Sequence, residues 1–403
     1  KALANLGIPQ LEPLKKKSLE IDSIFANFTD EDASKVKSIE KITNHDVKAV
    51  EYFLREKFIE CGLESFIEFI HFGLTSQDVN NTSFPLMMKD AHNHALSPLL
   101  DQLLNKIRAF ADSYPNTPML AHTHGQPASP TTFKKEMMVF VERLELQIQV
   151  LYNLKFKAKF GGATGNLNAH KASFPNINWI NFSNDFVSSL GLERLTTTTQ
   201  ISHYDQEAEY FQCMIRINNI LIDFCRDIWT YISMSYIKQK TVKNEVGSSA
   251  MPHKVNPIDF ENAEGNFGIA NALFAHLAEK LPISRLQRDL TDSTVLRNIG
   301  VPFAHCLISY SSILKGIEKL SLNVEKINED LNSNIAVIAE AIQNILRREN
   351  IDHPYELLKG LTRGQDKLTK SILENFIDTL PIHENVKSEL KNINPHNYIG
   401  YAD

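Results

Sequence analysis

Residues 205–240 read DQEAEYFQCMIRINNILIDFCRDIWTYISMSYIKQK. No glycine or proline interrupts this run, and its apolar residues, among them Ile215, Leu221, Phe224 and Ile228, recur almost all round a helical projection. A helix that is apolar on most of its surface is buried on several sides. We therefore predict a long helix in the middle of a bundle or at a subunit interface.

Other stretches of the chain show the same helical periodicity of apolar residues. The longest of them span residues 81–114, 131–160, 260–281 and 302–320. Long helices with few strand signals predict an all-α fold with a long central helix bundle. The run Thr196–Thr199 is the only one that we interpret as extended.

The length of 403 residues exceeds what one compact core usually holds, so we expect more than one domain. Shorter helical patterns precede and follow the long ones, and the run Thr29-Asp30-Glu31-Asp32 is typical of a helix start. We predict an N-terminal helical domain over residues 1–72, the central long-helix bundle over 73–320 and a C-terminal helical domain over 321–403. The two smaller domains are expected to flank the bundle.

Charge and cysteine content narrow the class of protein. The formal net charge is −6 without a basic block, so a nucleic-acid partner is not expected. No apolar run approaches the length of a membrane span, which argues against a membrane partner. The four cysteines lie far apart and form no CxxC motif, so we expect reduced thiols in the core of a cytoplasmic protein.

A polar loop separates two of the predicted helices. It reads GSSAMPHKVNP over residues 247–257, and its glycine and prolines disfavour a helix. Two hydroxyls, an imidazole, an ammonium and an amide are concentrated there. Loops that carry such groups on a helical scaffold often hold catalytic residues, although an ordinary polar connection has the same composition.

Further polar clusters have both structural and functional interpretations. Thr43-Asn44-His45-Asp46 fits a helix N-cap, and so do Thr75 and Ser76 within the run from His71 to Asp78. His122 and His124 have the spacing of one strand face, which allows a two-histidine metal site, but no Asp, Glu or Cys nearby completes a ligand set. Histidine is also suited to proton transfer near neutral pH.

The run QRDLTDSTVLRN over residues 287–298 offers two arginines, hydroxyls and the residues of a helix start. Such groups fit phosphate or carboxylate binding, and they fit a surface loop with salt bridges equally well. The run GGATGN over residues 161–166 follows a helix rather than a strand, so we predict a tight turn there and not a nucleotide site.

The order of these pieces resembles the fumarase/aspartase superfamily of lyases, and within it the bacterial type of the adenylosuccinate lyase family. The matching motifs cover residues 43–52, 123–128, 251–262 and 288–298. The G-S-S-x-M-P loop is shared by the superfamily, whereas the Thr-Asn-His-Asp and Gln-Arg-Asp runs point to this member. The resemblance covers essentially the whole chain.

This resemblance implies a carbon–nitrogen lyase that removes fumarate by β-elimination from adenylosuccinate, giving AMP, and from the succinylaminoimidazole carboxamide ribotide, giving AICAR, in purine biosynthesis. It implies Ser248 as the base and His124 as the acid, with Ser249 as the alternative base. The other residues matched to catalysis are His45, His71, Lys254 and Glu261, the last expected to orient an imidazole. The residues matched to substrate binding are Asn44, Asp46, Thr75, Ser76, Gln200, Asn256, Arg288, Ser293, Thr294 and Arg297.

The resemblance further implies a nucleotide substrate, no cofactor, no metal, and a homotetramer whose active sites are shared between subunits. The family's N-terminal Arg-Tyr pair for the substrate phosphate has no counterpart here, and since the chain begins at Lys1 without a methionine, we expect that a preceding segment is missing. Argininosuccinate lyase and a non-catalytic protein with a lyase fold are the alternatives.

Overall fold

A computed structural model describes residues 1–240, 251, 254–362 and 368–402 of the chain. Helices form most of this part. The α-helices are α1 (Ser18–Ala26), α2 (Asp30–Thr43), α3 (Asp46–Glu60), α4 (Ser76–Ala91), α5 (Ser97–Asp112), α6 (Phe133–Asn153), α7 (Asn168–Ser173), α8 (Trp179–Ser189), α9 (Asp205–Ser233), α10 (Ile258–Lys280), α11 (Thr291–Leu296), α12 (Gly300–Glu318), α13 (Val324–Ser333), α14 (Ala339–Arg348), α15 (Pro354–Thr362), α16 (Lys370–Thr379) and α17 (Glu384–Asn392).

Shorter helical segments occur as well. There are 3-10 helices at Leu3–Leu6, Pro9–Lys17, Glu64–Phe69 and Ile335–Ile338, and a π-helical turn at His92–Leu96. Strands in the described residues are short and pair two by two. They are β1 (Pro118–Thr123) antiparallel to β2 (Gln126–Thr132), β3 (Lys157–Ala158) parallel to β4 (Glu193–Arg194), and β5 (Ile237–Gln239) antiparallel to β6 (Leu320–Leu322).

The all-α class is confirmed, with local differences. The helix start at Thr29 is confirmed too: its side chain accepts a hydrogen bond from the backbone N–H of Asp32, whose carboxylate accepts one from the backbone N–H of Thr29. The prediction of an extended run at Thr196–Thr199 is wrong, because none of these residues is in a strand and Thr196, Thr197 and Thr199 form bends. The helix predicted over residues 81–114 is interrupted at His92, where the buried imidazole lies 3.2 Å from the hydroxyl of Tyr210.

The chain divides into two compact units. The first comprises residues 1–95, 153–212 and 274–300. Part of its core is aromatic. The centroid of the Trp179 ring lies 4.8 Å from the centroid of the His170 ring and 5.5 Å from that of the Phe182 ring. Aromatic packing of this kind fixes the segments that surround Gly161–Asn166.

The second unit comprises residues 96–152, 213–273 and 301–403. Here Phe140 of α6 packs on Phe224 of α9 at 5.4 Å, and Asn218 of α9 donates a hydrogen bond to Asn271 of α10 at 2.9 Å. The buried residues of the C-terminal helices form a separate cluster that includes Ile342 and Ile377. The three predicted domains remain a prediction. Among the described helices, none combines the length and apolar character required to cross a bilayer.

Candidate active site

Two predicted site residues of the first unit, Thr75 and Ser76, lie at the beginning of α4. Thr75 precedes the helix in an extended conformation, and its backbone N–H donates to Asp78 Oδ2 at 2.8 Å, which completes a capping box. Ser76 is the first helical residue. The sequence-based interpretation of Thr75 as a cap is therefore confirmed, and the cap fixes the position of both hydroxyl residues.

Asp78 also forms a fully buried ion pair. Its Oδ1 atom lies 2.7 Å from Lys159 Nζ, and neither side chain is exposed to solvent. The same carboxylate accepts backbone hydrogen bonds from Gly161 and Gly162, while Lys159 Nζ donates to the Gly162 carbonyl at 2.6 Å. Because each charge has several partners, the pair can remain ionised away from water.

This pair holds the glycine-rich turn that was predicted at residues 161–166. Gly165 has φ +83°, and a Cβ atom there would lie 2.2 Å from the carbonyl oxygen of Thr198. Only glycine allows this close approach. The turn therefore lies directly against the segment that leads to Gln200.

Gln200 and Arg288, both predicted to bind substrate, are in contact. Arg288 donates from a terminal guanidinium nitrogen to Gln200 Oε1 at 3.1 Å, and Gln200 Nε2 donates to the Ala163 carbonyl at 3.1 Å. The glycine-rich turn thereby orients the amide of Gln200, and the amide orients the guanidinium. A half-buried guanidinium held in this way is a strong site for an anion.

The short helix α11 follows Arg288 and carries the other predicted anion-binding residues. Ser293 is half-buried, and its backbone N–H donates to Asp292 Oδ1 at 2.7 Å. Thr294 and Arg297 are exposed, with Arg297 directly after the last helical residue. The exposed guanidinium of Arg297 is therefore accessible to a ligand.

The two histidines of the first unit that we predicted in the site, His45 and His71, lie in a capping and a left-handed position respectively. His45 caps α3, since its Nδ1 atom accepts the backbone N–H of Lys48 at 3.2 Å. Asn44 ends α2 in the left-handed region with φ 50°, so the predicted cap is made by the imidazole rather than by Asn44. Asp46 Oδ1 lies 3.4 Å from His45 Nδ1 and accepts the backbone N–H of Val47.

His71 has φ 62° and is partly buried beside a cavity of about 180 Å³. Burial lowers the pKa of its imidazole, while the carboxylate of Glu51 acts in the opposite direction. His71 is consequently biased toward the neutral form, which can both donate and accept a proton.

His124 of the second unit lies at the tip of the β1–β2 hairpin. His124 and Gly125 form the two-residue loop with φ 54° and φ 72°, and two positive φ angles in succession define a type I′ turn. The imidazole is exposed at this tip. The turn thus projects a histidine from a paired, well-ordered element toward solvent.

The remaining predicted residues of the second unit lie within residues 247–261 of the sequence. Ser248 and Ser249 lie outside the described residues. Lys254 is exposed and Asn256 half-buried, both just before α10. Glu261 accepts a hydrogen bond from the indole nitrogen of Trp229 at 3.0 Å, and its role in orienting an imidazole stays a prediction.

The metal interpretation of His122 and His124 gains no support. In the part of the chain that the structure describes, no group of three His, Cys, Asp or Glu side chains could hold a metal ion. His122 instead lies with its ring 6.2 Å from that of Tyr236, between centroids. The four cysteines, all in described residues, form no disulfide.

Comparisons with known proteins identify the family of the chain. A family model described as lyase matches residues 1–270, and a model of the adenylosuccinate lyase C-terminal region matches residues 284–399. The adenylosuccinate lyase of Dictyostelium discoideum is 57% identical over 406 residues, which cover 98% of this chain and 87% of that protein. The chain belongs to the adenylosuccinate lyase family. It is therefore an enzyme of the lyase class.

Bacterial members of the adenylosuccinate lyase family are also similar. Those of Haemophilus influenzae and Escherichia coli (strain K12) are each 51% identical over 383 residues, covering 95% of this chain and 84% of the relative. Two solved structures share the fold. They are a 3-carboxy-cis,cis-muconate lactonizing enzyme from Pseudomonas putida (TM-score 0.77, 20% identity, 100% of this chain and 89% of that chain) and a fumarate lyase from Mesorhizobium sp. BNC1 (TM-score 0.78, 18% identity, 100% and 90%).

Sequence reasoning missed several polar residues that contact the candidate site residues or the segments that carry them. They are Asp78, Asn81, Lys159, Tyr204 and Asp292, all of them buried. A charged residue such as Lys159 between apolar neighbours signals a buried partner, but the sequence does not identify that partner.

Proposed function

We propose that the chain catalyses the β-elimination of fumarate from adenylosuccinate, giving AMP, and from the succinylaminoimidazole carboxamide ribotide, giving AICAR. The observation that carries this proposal is the 57% identity to an adenylosuccinate lyase over 98% of the chain. The bonded pair Gln200 and Arg288 supports it further, because the substrate is an anion and needs an oriented cation.

The chemistry requires a base and an acid on opposite sides of the bond that breaks. We assign Ser248 as the base that removes a proton from the succinyl Cβ, and the resulting aci-carboxylate needs donors already in place. Lys254 is the cation that favours the serine alkoxide. The electron pair then forms the double bond of fumarate while the carbon–nitrogen bond breaks, and His124 protonates the departing nitrogen.

The first unit supplies most of the groups that we assign to substrate binding. Arg288, Ser293 and Arg297 bind the phosphate, and Thr75, Ser76 and Gln200 bind the succinyl carboxylates or the purine. The further substrate-binding residues that we assign are Asn44, Asp46 and Thr294 of the first unit and Asn256 of the second. We assign His45, His71 and Glu261 to catalysis, with Glu261 orienting an imidazole. His71 in its neutral form can exchange a proton with the substrate or with another imidazole.

The assembly that we propose is a homotetramer with active sites built from more than one copy. The central helices support it, because large apolar side chains on their surfaces are exposed in the single chain: Ile269 is 50% exposed on α10 and Ile308 is 47% exposed on α12. Exposed apolar side chains on long helices fit contacts between the subunits of such an assembly. We also propose the cytoplasm as the location, and a three-domain organisation over residues 1–72, 73–320 and 321–403.

The test is to follow fumarate release from adenylosuccinate and from argininosuccinate, with the native chain and with Ser248→Ala. The expected result is release from adenylosuccinate alone, and a loss of about a thousandfold or more in the variant. Fumarate release from argininosuccinate alone would show that argininosuccinate, and not adenylosuccinate, is the substrate. If the assembled protein released fumarate from neither compound, the lyase assignment would be contradicted.

A further inference from the structure

Tyr204 is a buried residue with an unusual backbone. It directly precedes α9, is 1% exposed and has φ 58°. A bulky side chain in the left-handed region is uncommon and costs free energy. Such a conformation persists where the surrounding contacts determine it, so the hydroxyl contacts of Tyr204 are of interest.

The Tyr204 hydroxyl lies between an amide and a carboxylate. It accepts a hydrogen bond from Asn81 Nδ2 at 2.7 Å and donates one to Asp292 Oδ2 at 3.0 Å. Burial, together with the nearby Asp292 carboxylate, raises the pKa of Tyr204 far above its ordinary value. The phenol therefore stays protonated and remains a donor to Asp292.

Asp292 in turn lies close to Arg288. Its Oδ1 atom is 4.0 Å from Arg288 Nε, which is the outer limit for an ion pair. The buried Nε–H of Arg288 has no hydrogen-bond acceptor in the described residues, whereas a terminal nitrogen donates to Gln200. The guanidinium is thus near the carboxylate but not neutralised by a close contact with it.

The geometry points to Tyr204 as a positioning residue for substrate binding: by holding Asp292, it keeps Arg288 oriented and available for an anionic group of the substrate. This inference rests on the proposed function. Tyr204 itself does not touch the substrate in this account. It acts by occupying one carboxylate oxygen of Asp292 and by fixing the other at a distance from the guanidinium.

Loss of the hydroxyl has a defined consequence. Without the tyrosine hydroxyl, the buried Asp292 carboxylate has one hydrogen-bond donor fewer. Moving closer to Arg288 than the present 4.0 Å would then stabilise this carboxylate. A close ion pair there competes with the substrate anion. Binding then weakens, while the proton-transfer groups assigned above are unchanged.

The experiment compares Tyr204→Phe with Tyr210→Phe in the assembled enzyme. Tyr210 is the matched control, since it is also a buried phenol of the first unit, and its hydroxyl contacts His92, outside the assigned site. We expect Tyr204→Phe to raise the KM for adenylosuccinate about tenfold, the size of one hydrogen bond to a charged group, with less than about a threefold change in kcat. The control is expected to change neither value.

A double-mutant cycle with Arg288→Met separates positioning from a general structural effect. If Tyr204 acts through Arg288, adding Tyr204→Phe to Arg288→Met leaves KM unchanged. Equal KM values for the two tyrosine variants, or a full additional increase in the Arg288→Met background, would overturn the inference. An inactive native enzyme would instead contradict the proposed function, so the two failures are distinguishable.

Discussion

The ammonium group of Lys159 lies where solvent does not reach it, with Asp78 and the Gly162 carbonyl as its acceptors. Asp78 has three further donors, the backbone N–H groups of Thr75, Gly161 and Gly162. Replacing the lysine removes one charge of a buried pair and leaves the other uncompensated. Replacing Asp78 would likewise leave the buried ammonium group of Lys159 without a counter-charge.

We expect Lys159→Met to lower the free energy of unfolding by about 3 to 5 kcal/mol, the usual cost of breaking a buried pair. The matched control is Arg55→Met, which breaks the Arg55–Glu68 pair at 2.7 Å, where the glutamate side chain is 84% exposed. That loss should be below about 1 kcal/mol. Urea unfolding of the three proteins measures both, and equal losses would show that the buried pair has no special role.

Glu207 allows a prediction about pH. It is 5% exposed, and burial raises the pKa of its carboxyl from 4.5 to about 7. Between these two values the folded protein binds a proton that the unfolded chain does not, so stability falls as the pH rises through this window. Below it, both states are protonated and the difference disappears.

The native chain is expected to lose about 3 kcal/mol of its free energy of unfolding across this pH window through Glu207. We expect the Glu207→Gln variant, which cannot ionise at this position, not to show this loss. Glu209→Gln is the control, because Glu209 is exposed on the same helix. Unfolding measured at about pH 4.5 and at about pH 7 gives the comparison. If the native chain and the Glu207→Gln variant show the same pH dependence, the carboxyl is not buried as described.

At the level of the elements, sequence predicted what local rules determine. The capping box of Thr29 and Asp32 and the long α9 helix follow from capping and from periodicity. The β1–β2 hairpin was missed, because its turn is His124-Gly125 rather than the common Asn-Gly, and because Pro127 and Pro130 in β2 argue against a strand. His92, where the predicted helix is interrupted, contacts Tyr210, which is 118 residues away, and no local rule contains that contact.

The candidate site also contains residues that the sequence could suggest and residues that it could not. The resemblance to a known family suggested Thr75, Gln200 and Arg288 as candidate site residues, because its motifs recur in the same order along the chain. The residues that orient them could not be found so easily, since Asp78 and Lys159 are separated by 81 positions. Pairing across such a distance is decided by the fold and not by the local sequence.

For the whole molecule, the exposed apolar side chains of the central helices lead to a prediction about assembly. We expect Ile308→Asp to reduce the molar mass in solution below that of four copies and to lower fumarate release. Burying an unpaired carboxylate at an interface costs several kcal/mol, as about 2 to 7 kcal/mol is typical even for a neutral polar group.

Ile180→Asp is the control for this prediction, because Ile180 is 60% exposed on α8 of the first unit. It should leave the molar mass unchanged. Light scattering coupled to gel filtration measures both variants. A tetramer that survives Ile308→Asp intact would place the subunit interface elsewhere.

The central claim is that one fumarate-releasing site uses residues from different copies of the chain. His71 and His124 test it well, because both have positive φ, a conformation that asparagine also tolerates. The variants His71→Asn and His124→Asn are each expected to be nearly inactive and to assemble normally. Mixed subunits that reassemble at random in equal amounts would then complete both positions in about a quarter of the sites.

The measurement to make is therefore fumarate release from adenylosuccinate by the two inactive variants after dissociation, mixing and reassembly. We expect activity to return to about a quarter of the native value. A mixture that forms tetramers but remains as inactive as each variant alone would contradict the shared site.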